Sequence, residues 1–302
     1  MSAVILTASD FRPLRDAPAQ MRGALEAVEA AIVAEYQGKV RGGRLQDRRP
    51  DEFEGIRLSL VAGDDMLSGL RIFGNPPHTR AYALFDGETR ALLALMDYGV
   101  LNSIRVGATA GVAARHLAPK GARTVGLLGS GWQAPTQLSA LRQAVPTLEA
   151  VRVFSPTPAH REAFARGQAD ALDLPVEPVD SAEAALHDAD IVDLCAPGHH
   201  DVREPLFAPE WVRPGALVIS MAQRQYSPAF AAQARRVAAG HDQPGATPLG
   251  AIITQQAAAR QQPNETLIYA LEGGTVQDLF VATWGYHWAL AHGLGHPFDL
   301  SA

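Results

Sequence analysis

With one cysteine in 302 residues, Cys195, the chain cannot cross-link itself through a disulfide, which sets it apart from small stapled secreted domains. No window reaches the about 18 apolar residues of a membrane span, and no basic-then-apolar segment of the secretory type opens the sequence. Positive charge is not in excess, because the net charge is −6 and the isoelectric point near 5.9. With no basic stripe interleaved with aromatics, nucleic acid is excluded as the expected partner. Internal repeats are lacking, and only residues 255–262, QQAAARQQ, are biased enough to suggest a mobile surface segment. The remaining expectation is a soluble, cytoplasmic protein of two ordinary domains, with no membrane partner and no metal site. Cys195 falls in an apolar run with no His or Asp pairing and reads as core rather than nucleophile.

The most informative stretch present is Arg123 to Ala134, RTVGLLGSGWQA, a short apolar strand running into Gly129, Gly131 and Ala134 at G-x-G-x-x-A spacing. Gly129 suits a tight turn, Gly131 lets backbone approach a pyrophosphate, and Ala134 is small enough for the next helix to pack on the strand. Gly129, Ser130, Gly131, Trp132 and Gln133 are therefore candidate cofactor-binding residues. A helix from Pro135 to Ala144 and a second β-branched run, Val151 to Phe154, complete a β-α-β unit. Further buried strands read at Ala189–Pro197 and Gly215–Met221, so strands alternate with helices and predict a parallel, doubly wound sheet. Ligands of such sheets sit at the C-terminal strand ends, which places Ser155, Ala196 and Met221 beside the cofactor.

An acid about 20 residues after the glycines normally accepts the ribose hydroxyls of NAD. This chain instead has Phe154-Ser-Pro-Thr-Pro-Ala-His-Arg161 there. Ser155, Thr157, His160 and Arg161 suit the extra phosphate of NADP through charge-assisted bonds, so NADP(H) is favoured over NAD(H).

The first hundred residues differ in character. An amphipathic helix, Ala19 to Gln37, precedes hairpin-like pieces at Ile56–Val61, Met66–Phe73 and Arg80–Phe85, then Ala91–Met96, which predict a separate antiparallel sheet. A helix from Ser103 to Leu117 leads into the nucleotide domain. Near the C-terminus, Leu279 to His292 predicts an amphipathic helix presenting Phe280, Trp284, Trp288 and Leu290 to the first domain.

With these pieces placed, the chain resembles the ornithine cyclodeaminase/mu-crystallin family from about Ala81 to Gly295. The likeness rests on Leu84 to Asp97 (LFDGETRALLALMD), Ser103-Ile-Arg105 with its Ala-rich helix, Gly126 to Ala134 (GLLGSGWQA), and Ile268 to Leu279 (IYALEGGTVQDL) followed by Gly293-Leu-Gly295. The resemblance implies a Rossmann domain (residues 113–283) and an α+β substrate and dimerisation domain built from both chain ends (1–112 and 284–302), forming a homodimer. It further implies hydride exchange at the carbon α to a carboxylate, on a small carboxylate-bearing imine or amino acid.

By motif, the resemblance assigns carboxylate binding to Arg105 and, in Gly42-Gly-Arg-Leu45, to Arg44; it sets His78 of Pro76-Pro-His-Thr79 near the cofactor. Departures are as informative. Arg71 stands where the family commonly has a lysine, Arg224 where it often has an aspartate, and Ala270-Leu271 where it has Lys-Ser. Arginine holds a carboxylate but stays protonated, so Arg71 grips rather than relays. Arg224 would repel the side amine of ornithine. The expected activity is NADP-dependent reduction of a C=N bond in a small imino acid, or the reverse amino-acid oxidation, with nitrogen arriving protonated or protonated by water, His78 or Tyr226. A cyclodeaminase-type lyase that recycles bound NAD(P), and a non-catalytic NADPH and small-molecule binder, are the alternatives.

Overall fold

The computed structural model describes residues 3–46, 57–63, 67–73, 80–196, 205–221, 225–240, 243–271 and 274–299. The chain opens with β1 (Ala3–Leu6), α1 (Ala8–Asp16), α2 (Met21–Tyr36), β2 (Val40–Gln46), β3 (Arg57–Gly63), β4 (Ser68–Phe73), β5 (Arg80–Phe85) and β6 (Leu92–Asp97). Next come α3 (Gly99–Leu117), β7 (Thr124–Leu128), α4 (Ala134–Ala144), β8 (Ala150–Phe154), α5 (Pro158–Leu172), β9 (Val176–Pro178), α6 (Ala182–Leu186) and β10 (Ile191–Leu194). The rest comprises β11 (Leu217–Ser220), α7 (Pro228–Gln233), β12 (Arg235–Ala238), β13 (Thr247–Pro248), α8 (Leu249–Ile253), β14 (Leu267–Ala270), α9 (Thr275–Ala291) and β15 (His296–Phe298). Two compact units result, one from residues 1–105 and 273–302, the other from 106–272. The first division, at 105/106, falls inside α3, as does the expected edge near 112, and the expected edge near 283 falls inside α9; a continuous helix carries no sequence mark where its surroundings change.

In the first unit a seven-stranded sheet runs β15-β1-β6-β5-β4-β3-β2. It is antiparallel as expected except that β1 lies parallel to β6. A four-residue AVIL strand is too short to advertise its partner, and the same brevity hid β1 from the sequence reading. Alternation sets the two faces: Leu6, Leu84, Tyr82, Ala94 and Met96 are buried, whereas Ile5, Leu95 and Ile72 are exposed on the other face. Helix α2 buries Met21, Ala24, Leu25, Val28, Ala31 and Ile32, the 3.6-residue stripe of a one-faced helix.

Helix α9 also packs in this unit, on α2 and the sheet, but with a different face from the expected one. Val281, Ala282, Gly285 and Ala289 are buried, Phe280, Trp284 and Trp288 are only partly covered, and Leu290 is exposed. Small residues win because they permit close approach: a Cβ at Gly285 would lie 2.8 Å from Leu101.

The second unit is an all-parallel eight-stranded sheet, β13-β12-β14-β11-β10-β7-β8-β9. Strand order reverses direction between β7 and β10, so a crevice opens at their C-terminal ends. Asp190, just before β10, staples this centre: its Oδ2 accepts from the backbone N–H of Arg123 and Thr124 at 2.7 and 3.0 Å. Residues 255–262 form surface turns.

Asp193 lies fully buried on β10, and desolvation pushes its carboxyl up to about 7, opposed by a weak bond from the Cys195 thiol. The folded protein thus holds this proton to near neutrality, while the unfolded chain releases it near 4. Stability therefore falls as pH rises from about 4 to 7 and stays lowered above that range. Asp193→Asn should raise stability on the order of a few kcal/mol at pH 8 and by much less at pH 5. Urea unfolding at both pH values checks this; an increment independent of pH would refute it.

Candidate active site

In the second unit β7 delivers the chain to Gly129, whose φ of +107° belongs to the region that favours glycine. Its N–H donates to the Phe154 carbonyl at 2.8 Å, and a Cβ there would sit 2.7 Å from the Ala196 nitrogen. Gly131, by contrast, faces open space, with no atom within 4 Å of a built Cβ. One glycine is thus demanded by the fold and the other leaves room for a visitor. Ala134 is fully buried at the start of α4, whose N-terminal turn follows the loop.

These elements border a cavity of about 620 Å³ at the reversal of strand order. Gly129, Ser130, Gly131, Trp132, Gln133, Ser155, Thr157, Ala196 and Met221 all line it. His160 and Cys195 line it too, and among the described residues no acidic side chain does. Burial and the neighbouring Asp193 push the Cys195 thiol well up, so it is no thiolate nucleophile. Ser130 and Ser155 join their hydroxyls at 2.8 Å, tying the glycine loop to the end of β8.

Gln225, which sequence reasoning passed over, braces the cavity floor. Its Oε1 accepts from the Met221 N–H at 2.9 Å and its Nε2 donates to the Ala196 carbonyl at 2.7 Å, clamping the ends of β10 and β11 together. Arg161 does not line the cavity. Its guanidinium is buried behind Ser155, donating to that carbonyl at 3.3 Å, and pairs with Asp180, whose side chain is 95% exposed. Tyr226 is also set back, packed in the apolar cluster with Phe207 and Phe230.

In the first unit, Arg71 on β4 and Arg105 on α3 come together although 34 positions separate them in sequence. Both pair with Asp278 in the first turn of α9: Arg71 donates to Oδ2 at 2.7 Å, and Arg105 Nε lies 3.0 Å from Oδ1. Asn102, one turn before Arg105, accepts from both guanidiniums through Oδ1, at 3.1 and 2.8 Å. Tyr98 donates its hydroxyl to Asp278, with Oδ1 at 3.0 Å, and its ring lies 5.0 Å from the Arg71 guanidinium carbon. Arg71, Arg105 and Asp278 are 6%, 5% and 2% exposed. Burial works against the charge of Arg71, but Asp278, with smaller help from Tyr98 and Tyr82, more than restores it, so its pKa is raised. Burial first and Asp278 second push the phenols of Tyr82 and Tyr98 well above their ordinary range.

Arg44 occupies the same cross-strand row as Arg71, opposite Ser59, which in turn pairs with Arg71. His78 and Arg224 lie outside the described residues, which hold no cluster of three or more potential metal ligands. Asp278 is the residue the sequence reading left without a role. Its one local signal is an isolated acid opening a long apolar helix, and its partners become visible only when three distant segments meet.

A parallel sheet with a glycine-lined cavity at its reversal point defines a protein of the dinucleotide-binding α/β class. The chain belongs to the ornithine cyclodeaminase/mu-crystallin family, whose profile matches residues 68–239. It is 32% identical to the L-lysine cyclodeaminase of Streptomyces rapamycinicus over 158 residues, 51% of this chain and 45% of that protein, so the match spans less than half of that relative. It is 28% identical to the Delta(1)-pyrroline-2-carboxylate reductase of Bacillus cereus over 241 residues, 72% of this chain and 73% of that one. The fold is similar to that of the Thermococcus litoralis Delta(1)-pyrroline-2-carboxylate reductase solved with NADH and L-proline, with a TM-score of 0.84, 24% identity, and coverage of 97% of this chain and 99% of that one.

The contrast between the two glycines is testable. Gly129→Ala should cost about 1–3 kcal/mol of stability through backbone strain and crowding. Gly131→Ala should leave the melting temperature unchanged yet weaken NADPH binding about tenfold or more by filling the approach to the loop. Thermal melts and a titration followed by tryptophan fluorescence separate the two; unaltered NADPH affinity in Gly131→Ala would remove the loop from the binding site.

Proposed function

We propose that this chain is an NADP-dependent oxidoreductase that reduces the C=N bond of a small carboxylate-bearing imine, or runs the reverse oxidation of an amino acid. The observation that carries the reading is the buried Arg71–Arg105 pair, two fixed guanidiniums in an α/β protein whose other unit has a dinucleotide-type cavity. A guanidinium fork matches the two oxygens of a carboxylate, and burial strengthens the contact. The reductase relatives act on an imine that carries its carboxylate beside the reacting carbon, as Delta(1)-pyrroline-2-carboxylate does.

The cavity residues fit a dinucleotide: Gly131 leaves open space for close backbone approach, and Ser130, Ser155, Thr157 and Gln133 offer polar groups around it. When bound, the nicotinamide supplies the hydride that the carbon of the C=N bond needs. The protein's part is to hold the acid group through Arg71, Arg105 and Arg44, and to fix the floor at Ala196 and Met221 through Gln225. NADP is favoured over NAD because among the described residues no acid lines the cavity while Thr157 and His160 do. Arg161 stands directly behind, and its exposed partner Asp180 is a weak competitor for a dianionic phosphate. His78 remains the proposed neighbour of the cofactor.

A homodimer and a cytoplasmic site of action belong to the same proposal. On the outer face of the first sheet Ile5 pairs with Leu95, Leu95 with Ala83, and Ala83 with Leu70, an apolar row in which Ile5 and Leu95 are exposed and Ala83 and Leu70 half-buried. Among the described residues no helix is long and apolar enough to cross a membrane.

A cyclodeaminase-type lyase is the second reading, favoured by the match to the lysine cyclodeaminase. It predicts product without net NADPH consumption. Following NADPH absorbance with preformed cyclic imino acids, and with keto acids plus ammonia or methylamine, separates the two, and saturable NADPH binding without any turnover would instead mark a binder. Steady NADPH loss is expected with at least one carboxylated imine. Arg71→Ala and Arg105→Ala should then raise KM about tenfold or more with smaller effects on kcat. Arg161→Ala should weaken NADPH far more than NADH; equal losses would overturn the NADP assignment.

A further inference from the structure

On the sheet and helix that carry the two arginines, Asn102 of α3 accepts from both guanidiniums but brings no charge to offset theirs. A guanidinium at the end of a long side chain has several rotatable bonds, and two like charges side by side repel unless something between them fixes both. Asp278 is placed for that task, because each of its oxygens meets a different guanidinium, Oδ2 with Arg71 and Oδ1 with Arg105. The carboxylate is itself fixed: Tyr98 donates to it, and it sits in the first turn of α9, where the backbone dipole favours an anion. Gly42 and Gly69 show how closely the surroundings fit, since a Cβ at the first would strike the Thr275 hydroxyl and one at the second the Tyr82 hydroxyl.

We propose that Asp278 is the positioning residue of the carboxylate-binding site: it locks Arg71 and Arg105 into one preorganised anion receptor and touches no reacting atom itself. This rests on the reading of those arginines as carboxylate ligands. Without Asp278 each guanidinium would sample several orientations, and the acid group of the substrate would have to order them on arrival, a cost that appears in affinity. With two guanidiniums on one carboxylate the receptor keeps a net positive charge, which favours an acid over a neutral imine in an arrangement that needs no reordering.

Asp278→Asn keeps the size and removes the charge. It should raise KM for a carboxylated cyclic imine about tenfold or more, the loss expected for a charge-assisted contact that is no longer held in register. It should leave kcat within about threefold and the kinetics of the same imine lacking its carboxylate unaltered. A merely structural role would move both substrates together, and that outcome, or an unchanged KM, overturns the proposal. Where no imine turns over, calorimetry with pyrrole-2-carboxylate on the NADPH-loaded protein reads the same grip against the same thresholds. If Asp278→Asn does not fold, Tyr98→Phe decides the matter: loss of the hydroxyl that steadies Asp278 should raise KM or Kd for the acid about threefold or more, and no change refutes the role. Arg71→Ala measured in parallel keeps the two ideas apart. If it too leaves acid binding untouched, the carboxylate site itself is wrong; if it weakens binding while Asp278→Asn does not, only the positioning role falls.

Discussion

The ion cluster around Asp278 is the constraint on which the first unit turns. A β-strand, the N-terminal half of a long helix and the first turn of a helix near the C-terminus have no covalent reason to meet, yet their three charged side chains share one buried network. Burying such groups is expensive unless each is paired and hydrogen-bonded. Here Asp278 meets both guanidiniums, Asn102 accepts from both, and Tyr98 donates its hydroxyl to Asp278 with its ring beside Arg71. A network of this kind is a poor source of net stability compared with a well-packed apolar core, so its presence calls for a reason beyond folding. Holding two cations ready for an anion is such a reason.

The second unit solves a different problem with backbone rather than charge. Its parallel strands need crossovers, and reversing the order at β7 and β10 sends them to opposite sides and leaves a crevice at the strand ends. The glycine loop occupies that gap in a shape a larger residue cannot adopt at Gly129, while Gln225 fastens the two strand ends beneath. Rigidity of the cavity is thus assured by hydrogen bonds that do not themselves point into it. Asp193, buried on β10 two residues from the cavity-lining Cys195, is kept protonated up to about 7 by that burial.

How much of this was legible in the sequence depends on the range over which each signal acts. The glycine loop, its flanking strand and helix, and the residues at the ends of β8, β10 and β11 are local patterns with fixed offsets, and the cavity contains all of them. Arg161 read as a cavity residue from the same local logic, but its reach is set by Asp180, whose proximity arises from a strand that pairs with β8 and carries almost no pattern of its own. The face of α9 was misjudged for a related reason. Size suggested that Trp284, Trp288 and Leu290 would be buried, whereas close helix packing on α2 and the sheet selects Ala282, Gly285 and Ala289. Asp278 lies at the far extreme: it stood in plain sight within a family string, but a role that consists of pairing with positions 71 and 105 has no expression in its own neighbourhood.

The lysine-to-arginine departure at position 71 acquires its meaning from the same geometry. A lysine there could lend and recover a proton, since burial readily brings an ammonium into the working range. Arg71 starts from a far higher pKa, and Asp278 raises it further, so it carries its charge at every pH at which the protein is folded. Tyr82 and Tyr98, the phenols nearest to it, are likewise held in their protonated forms by burial and by the same carboxylate. Arg71 and the two phenols of the cluster are therefore fixed in their protonated forms near neutrality. In the proposed reduction such a site can anchor and orient an acid but not exchange protons with it, so the nitrogen must bring its proton as an iminium or take it from a group outside the cluster. That division suits an imine already formed before it binds, and it disfavours chemistry in which the same site must first strip a proton from an ammonium group.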